Sequence, residues 1–310
     1  MTTMFGSRQR NTTHPRRIAL LALALSACLA DARPAATGLS GLVSIADGDP
    51  FTIVRRDKLR TGSRGVTLVA GDIVETGPGA FLAIEMQGGS LVGIGPSSRV
   101  YFLQRGDVPT LVVLKGWLKA DIRAKAKSAA LRVVGTRMGI QAQQAVVLLY
   151  ADERSDAIFD EQGSATLLLR DDAATRVDKE THPNQFFVRE DRAEAVARAR
   201  PSADFVANMP IPFRDPLPGI PPAKLKPAEP KLVRDVTYAD IYSWLTMPRD
   251  WRGGFIGRFS GRLRDPAFFA AMDARLGLHP EWIPILHPPP PPEPDHPPAA
   301  LVPGTRPTPH

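Results

Sequence analysis

The side chains able to do chemistry are thinly spread along this chain, and their spacing decides which chemistry is open to it. Six histidines occur, His14, His182, His279, His287, His296 and His310. None has a second histidine or a cysteine at the spacing of a metal-ligand pair. His279 precedes Pro280 and reads as a helix-entry residue, while His287 and His296 fall among prolines, where weak metal scavenging is the most they offer. The segment nearest to a nucleophile elbow is Gly88-Gly-Ser90-Leu-Val92. Its fifth residue is valine, and its setting is strand–turn–strand, whereas an elbow needs a second glycine and a following helix. Asp152, Glu153, Asp156, Asp160 and Glu161 form an acidic run, readable as a calcium loop or a solvated loop, whose spacing does not fit an EF-hand. No acid–base pair converges, so no catalytic residue, metal or cofactor is expected, and the chain is read as a non-enzyme.

Recognition chemistry is better represented. Arg249, Arg252, Arg258, Arg262 and Arg264 crowd one stretch with only Asp250 against them, and they flank an apolar stripe of Trp251, Phe255, Phe259 and Leu263. Either the stripe packs inward with the arginines in water, or the arginines form a docking face for an anionic envelope partner such as lipid headgroups, glycan or an acidic protein. On the second reading, Arg258→Glu with Arg262→Glu would release the protein from envelope fractions at unchanged stability.

Two regions of different periodicity must position these residues. From Gly41 to about Glu190 the chain reads as short strands separated by glycine turns, with Leu118, Ala120 and Ile122 alternating with Lys119, Asp121 and Arg123. The expected fold class is mainly β, a sandwich or β-solenoid-like domain over 40–190. Residues 191–234 read as a short helix, Arg192–Ala199, ended by Pro201, and then a proline-rich linker. Within that linker Phe213 is a candidate anchor onto the β domain. A small helical module follows over 235–286. Asp235 and Thr237 cap its first helix, Pro248 starts a second, and Asp265-Pro266 opens a third that Gly277 stops. About fifty residues bury too little to stand alone, so the module is expected to lean on the β domain. Residues 287–310 form a proline-rich tail.

The 31 prolines are unevenly placed: nine in Pro201–Pro230 and eleven in His287–His310, but five in Gly41–Glu190. The formal charge of +7 owes much to Arg8, Arg10, Arg16 and Arg17, and beyond residue 28 there are 35 basic against 32 acidic residues. Such a balance lacks the clustered basic face that nucleic acid requires.

The N-terminus carries an arginine-bearing start to Arg17, then thirteen apolar or small residues, Ile18–Ala30, too few to span a bilayer, which takes about 20. This pattern is a secretory signal over residues 1–30. The sole cysteine ends Leu25-Ser26-Ala27-Cys28, which resembles the lipobox of bacterial lipoproteins. Lipidation of Cys28 would tether the chain to the membrane, with Leu29 in the next position resembling outer-membrane lipoproteins. Plain secretion with cleavage after Ala30 or Ala32 is the alternative, and either route leaves no disulfide in the mature chain.

The β region is similar to the FecR family of envelope sensors. The matching elements come in order: Gly71-Asp72-Ile-Val-Glu-Thr76-Gly77, then Gly89-Ser90 through Pro96 and Ser98 to Val100, then Leu114-Lys-Gly116-Trp-Leu118, then Val133-Val-Gly135-Thr136. The resemblance spans about residues 40–170, and these residues are expected to build turns. Its best-known members are iron-citrate sensors with a cytoplasmic segment that grips a sigma factor. Here 17 residues precede the apolar run, so the expectation is the exported type without that segment. The expected role is a periplasmic binding or scaffold module whose partner is an envelope protein or a wall or lipid component. The alternative is a sensory component acting through a membrane-spanning partner.

Overall fold

The computed structural model describes residues 38–106, 108–124, 130–171, 174–191 and 193–289. The signal segment, Cys28 and the tail beyond residue 289 lie outside them. The described residues form sixteen strands, beginning with β1 (Ser40–Asp47), β2 (Phe51–Arg55), β3 (Lys58–Thr61), β4 (Thr67–Val69), β5 (Ile73–Thr76), β6 (Phe81–Met86), β7 (Leu91–Ile94) and β8 (Arg99–Arg105). Next come β9 (Val108–Arg123), β10 (Leu131–Val134), β11 (Met138–Ala151), β12 (Ser155–Asp171), β13 (Ala174–Glu180), β14 (Gln185–Glu190), β15 (Val196–Arg198) and β16 (Lys231–Asp235). Six short helices are α1 (Ala203–Asn208), α2 (Tyr238–Leu245), α3 (Arg249–Arg252), α4 (Phe255–Phe259), α5 (Pro266–Asp273) and α6 (Ile283–Leu286).

The fold is mainly β, as the glycine-punctuated apolar runs require, with the helices toward the C-terminus. All the strands join one mixed sheet whose longest path is β15-β14-β12-β11-β10-β9-β8-β5-β2-β3-β16. Paired strands are antiparallel except β9 with β10. Antiparallel pairing is unlike a solenoid's stacked parallel coils, and a single continuous sheet stands where a sandwich would have two.

One face of the sheet lines the main core, where residues from β1 to β14 meet. The other face is covered twice, by the helices in one place and by the proline-rich segment in another. Strand β9 shows how. Leu111 and Val113 point into the core while Val112, between them, packs under the helices. Past the bend at Gly116 the parity inverts. Leu118, Ala120 and Ile122 now face the core, and Trp117 faces the other cover. Gly116 makes the switch possible because its φ of +91° suits a residue without Cβ.

Between residues 191 and 234 one expectation fails, and the candidate anchor Phe213 is buried against the sheet. The predicted helix Arg192–Ala199 is not formed, since Val196–Arg198 is strand β15, paired with Phe186–Val188 of β14. The alanine-rich sequence favours a helix locally, but the edge of β14 supplies backbone partners, and tertiary pairing outweighs weak propensity. The helix forms after Pro201 instead, with Ser202 capping α1 through its hydroxyl. Nor is the rest a free tether. Phe213 and Leu217 are buried against the sheet, and β16 pairs with β3. Lys119, wholly buried, donates to Phe213 O (2.9 Å) and Asp215 O (3.1 Å) and pairs with Glu161 (2.7 Å). The strap lies so close that a Cβ on Gly93 would stand 2.8 Å from both Phe213 and Leu217.

The helices pack on the sheet as one layer. Trp244, Phe255 and Phe259 meet Val54, Ile73, Tyr101 and Val112, with Tyr101 edge-on to both Trp244 (6.0 Å) and Phe255 (5.6 Å). The apolar stripe is therefore core, but the helix expected after Pro248 breaks into α3, α4 and a 3-10 turn, Ser260–Arg264. Thr237 and Asp240 form a capping box on α2, while Asp235 belongs to β16. Asp265 caps α5, accepting from Ala267 N (3.0 Å). Helix α5 ends at Asp273, before Gly277. Strap, sheet and helices belong to one compact unit beginning at Gly38. No helix among the described residues is long and apolar enough to cross a membrane.

Candidate functional site

The motif residues are committed to the scaffold. Asp72 is buried, accepts from Val69 N (2.9 Å) across its own turn, and takes a two-pronged ion pair from Arg55 (2.9 and 2.6 Å). Gly71 and Gly89 occupy left-handed turn positions. Gly77 does not; its role is space, since a Cβ there would stand 2.6 Å from Asp49 Cβ. Thr76 donates through its hydroxyl to Gly95 O (2.7 Å) and accepts from Ser98 N (2.8 Å). The Ser90 hydroxyl accepts from Arg123 N (2.9 Å), a bond that ties its turn to β9. Gly135 leaves room for the Asp156 carboxylate, and the Thr136 hydroxyl accepts from Arg137 Nη1 (2.8 Å).

The acidic run is dispersed rather than assembled. Asp152 holds its turn by accepting from Arg154 N and Ser155 N, Glu161 pairs with Lys119, and Asp156 and Asp160 are fully buried. No group of three metal-ligating side chains occurs among the described residues. Asp156 accepts from Arg137 N (2.6 Å) and Met138 N (2.9 Å), yet burial pushes its carboxyl up to about 6 against those bonds and the nearby Arg137 charge. Asp152 adds to the rise. Burial likewise pushes Asp160 up to about 6, opposed by the Thr181 hydroxyl and His182. Both groups hold protons in the fold that an unfolded aspartate, with its pKa near 4, releases. Their contribution to stability is therefore largest below about pH 4 and declines as pH rises to about 6. His279, kept neutral by burial, acts in the opposite sense below its ordinary value. The comparison that isolates the aspartates is urea unfolding of the native chain against Asp156→Asn with Asp160→Asn. The native chain should gain about 2–3 kcal/mol relative to that variant between pH 7 and pH 5. A difference that stays flat with pH would show both carboxyls already ionised at pH 5.

The arginine docking face is overturned for three of its five members. Arg258 turns inward and donates to Val54 O (2.7 Å), Arg56 O (2.7 Å) and Gly71 O (2.6 Å), stacking over Phe259 at 4.8 Å. Burial brings its guanidinium down to about 10. Arg252 is buried, bonded to Leu245 O and paired with Glu281 (2.9 Å). Arg262 bridges Asp235 (2.7 Å) and Asp265 (2.6 Å). Only Arg249 and Arg264 remain exposed. A guanidinium at the ends of neighbouring strands finds carbonyl oxygens set in fixed positions, and its fork of donors satisfies several at once. Arg137, Arg170 and Arg189 line a further hollow of about 570 Å³ beside Pro248. Their donors too serve the fold: Arg189 bonds Arg137 O and Arg170 O, and Arg170 grips Asp250 while lying 3.8 Å over Trp251.

One cleft differs. It measures about 610 Å³ and opens between α1 and the outward face of β9, β11, β12 and β14. Its floor is an aromatic cluster in which Trp117, Phe186 and Phe205 are buried and Tyr150 is half-buried. Trp117 lies 4.6 Å from Tyr150 and 4.9 Å from Phe205, ring centre to ring centre, and Phe205 lies 4.8 Å from Phe186. Its rim is polar, with Lys115, Glu190, Asp204, Asn208 and Ser97. The side chains of Lys115, Glu190 and Asp204 are exposed and make no ion pair or side-chain hydrogen bond among the described residues. Sequence reasoning missed this cleft. The available signal was parity: with Leu118 and Ala120 inward, Trp117 must face out, and an outward tryptophan requires a cover or a ligand. What brings Tyr150, Phe186 and α1 beside it is tertiary.

No protein-family model and no curated protein matches the sequence. Among solved structures, the chain is similar to two crystal structures described as a "putative anti-sigma factor" from Parabacteroides distasonis ATCC 8503. Identities are 10% and 11%, each at a TM-score of 0.36. Each match covers 44% of this chain and 62% of that one, so the chain spans a little under two thirds of their length.

Proposed function

We propose that this chain is an exported binding module of the bacterial cell envelope, working by recognition rather than turnover. The observation that carries this reading is the division of its polar side chains. Those of the FecR-like motifs, the strap and the inward arginines hold the scaffold together, while Lys115, Glu190 and Asp204 stand exposed around an aromatic-floored cleft, with no side-chain partner among the described residues. A rigid body with an open cleft of mixed polarity suits ligand capture. The secretory pattern and Cys28 support export, and the ordered FecR-like elements support an envelope setting.

The test is fractionation of the tagged chain in its own cells, followed by crosslinking and identification of what is recovered with it. Recovery from the envelope with wall fragments or assembly proteins supports the module. Co-recovery of a membrane-spanning regulator would replace it with a sensory role, and a chain confined to the cytoplasm would overturn both. Labelling with a fatty-acid analogue, lost in Cys28→Ser, separates the lipidated from the secreted form.

A further inference from the structure

We infer that the sheet edge formed by β3, β16 and the turns beside them docks on an anionic lipid membrane. This face is separate from the aromatic-floored cleft, and the inference deepens the envelope setting of the proposed function. Charge is concentrated here. Residues 55–65 and 224–235 together carry nine basic side chains against three acidic, while the rest of the chain beyond residue 28 has 26 against 29. A count along the whole chain conceals such a face, because the surplus gathers only when the strap is laid against β3. There β16 pairs with β3, Ala228 N donates to Gly65 O (2.9 Å), and Arg60 Nη1 donates to Pro230 O (3.2 Å). Arg56, Arg64, Lys224, Lys226 and Lys231 are exposed and make no ion pair or side-chain hydrogen bond among the described residues. Leu225 is buried, which leaves the lysines on either side of it in water.

Apolar exposure decides which kind of anion this face meets. Strand β16 ends the sheet, and its Leu232 and Val233 are 60% and 53% exposed. A single exposed aliphatic residue is ordinary. Two adjoining ones among unpaired cations suit a surface that sinks shallowly into lipid headgroups, with the cations on the phosphates. A nucleic acid or another soluble polyanion would match the charge and leave Leu232 and Val233 in water. A second copy joined edge to edge through β16 is disfavoured twice. It would set the positive surplus against itself, and the register break between Leu232 and Arg234 interrupts the ladder a partner strand needs. The opposite edge, β15, exposes Val196 alike, but residues 190–200 balance three basic with three acidic side chains. On the lipidated route, residues 29–37 give a tether of at most about 30 Å. Strand β1, which follows that tether, meets the turn beside Arg64, where Gly65 N donates to Val43 O (2.8 Å).

The experiment is vesicle co-sedimentation of residues 31–310, which keep the compact unit whole and carry no acyl group. One set of vesicles is an equal mixture of phosphatidylglycerol and phosphatidylcholine, and the other is phosphatidylcholine alone. Binding to the anionic vesicles is expected to be at least about a hundredfold tighter and to fall steeply as salt is raised. Lys226→Ala with Lys231→Ala should weaken it about tenfold or more. Leu232→Ser with Val233→Ser should weaken it about tenfold. Arg198→Ala with Arg200→Ala removes the same charge from the opposite edge and should leave binding unchanged. Thermal midpoints should not move in any of the three, since all six side chains are exposed. Absence of binding, or equal binding to both kinds of vesicle, overturns the inference. Equal weakening by the Arg198 and Arg200 pair also overturns it, marking charge spread over the whole chain. Full-strength binding by the Leu232 and Val233 pair overturns the membrane as partner and assigns the face to a soluble polyanion or an acidic protein. The outcome is separable from fractionation. A chain found in the envelope that binds no vesicles leaves the envelope reading standing, and one that binds anionic vesicles but sits in the cytoplasm does the reverse.

Discussion

Lys119→Ala is expected to lower the unfolding free energy by about 3–5 kcal/mol, the cost of breaking a buried, fully bonded charge. The side chain is completely enclosed, and its three partners come from two separate segments, Phe213 O and Asp215 O on the strap and Glu161 on β12. Without the ammonium, both carbonyls lose their donor and Glu161, one quarter exposed, must turn to water. The loss should be local first. Phe213 and Leu217 would still fill their site, but the chain between them would open more often, and Arg214 and Lys224 are already exposed to trypsin. Cleavage in the strap should therefore accelerate at least about tenfold under native conditions, since proteolysis tracks the open population. Lys119→Met, which keeps the volume of the stem, should show the same acceleration with a smaller loss of packing. If trypsin attacks native and variant straps at equal rates, Phe213 rather than Lys119 is what holds the segment down.

Arg258→Ala should cost about 2–4 kcal/mol and loosen the helical layer from the sheet. Three main-chain carbonyls, of Val54, Arg56 and Gly71, would be left without their shared donor, each worth about 1 kcal/mol or more where water enters poorly. The stacking over Phe259 disappears as well. Arg258→Lys keeps the charge but offers a single point in place of the fork, so it should recover only part of the loss. Arg258→Glu sets a carboxylate against three carbonyl oxygens and should be worse than alanine. Hydrogen exchange of α2 and α4 amides reads the effect directly. Faster exchange confined to the helices would mark a detached layer, and unchanged exchange would place the seam's strength in Trp244 and Phe255 alone. This reverses the expectation from sequence, where Arg258→Glu together with Arg262→Glu was to change envelope retention at constant stability.

Asp265 beside Pro266 announces a helix start from two neighbouring residues, and the helix is there with the expected cap. Gly71-Asp72 announces a turn, and Asp72 bonds the turn's own backbone. Such features are legible because donor, acceptor and backbone angle lie within a few residues of one another. The five-arginine stretch was illegible for the opposite reason. Arg258 lies 204 residues from one of its acceptors, and a pattern of charge along a helix carries no record of a carbonyl on a distant strand. The Arg192–Ala199 segment shows a third case, a readable local preference that a sheet edge overrode.

By itself, then, the sequence determined the class of fold, the turns, the caps and the inward stripe of aromatic residues, because apolar periodicity and local hydrogen bonding act over short spans. It determined Trp117 as outward-facing without saying what it would meet. Only the tertiary structure decided that the proline-rich segment is a strap, that Arg252, Arg258 and Arg262 bind the layers together, and that four aromatic rings from distant segments cluster beneath a cleft rimmed by exposed charges. The physical reason is common to all three. Each depends on groups brought together by closing the sheet, and the energy of those contacts belongs to the pair rather than to either residue alone.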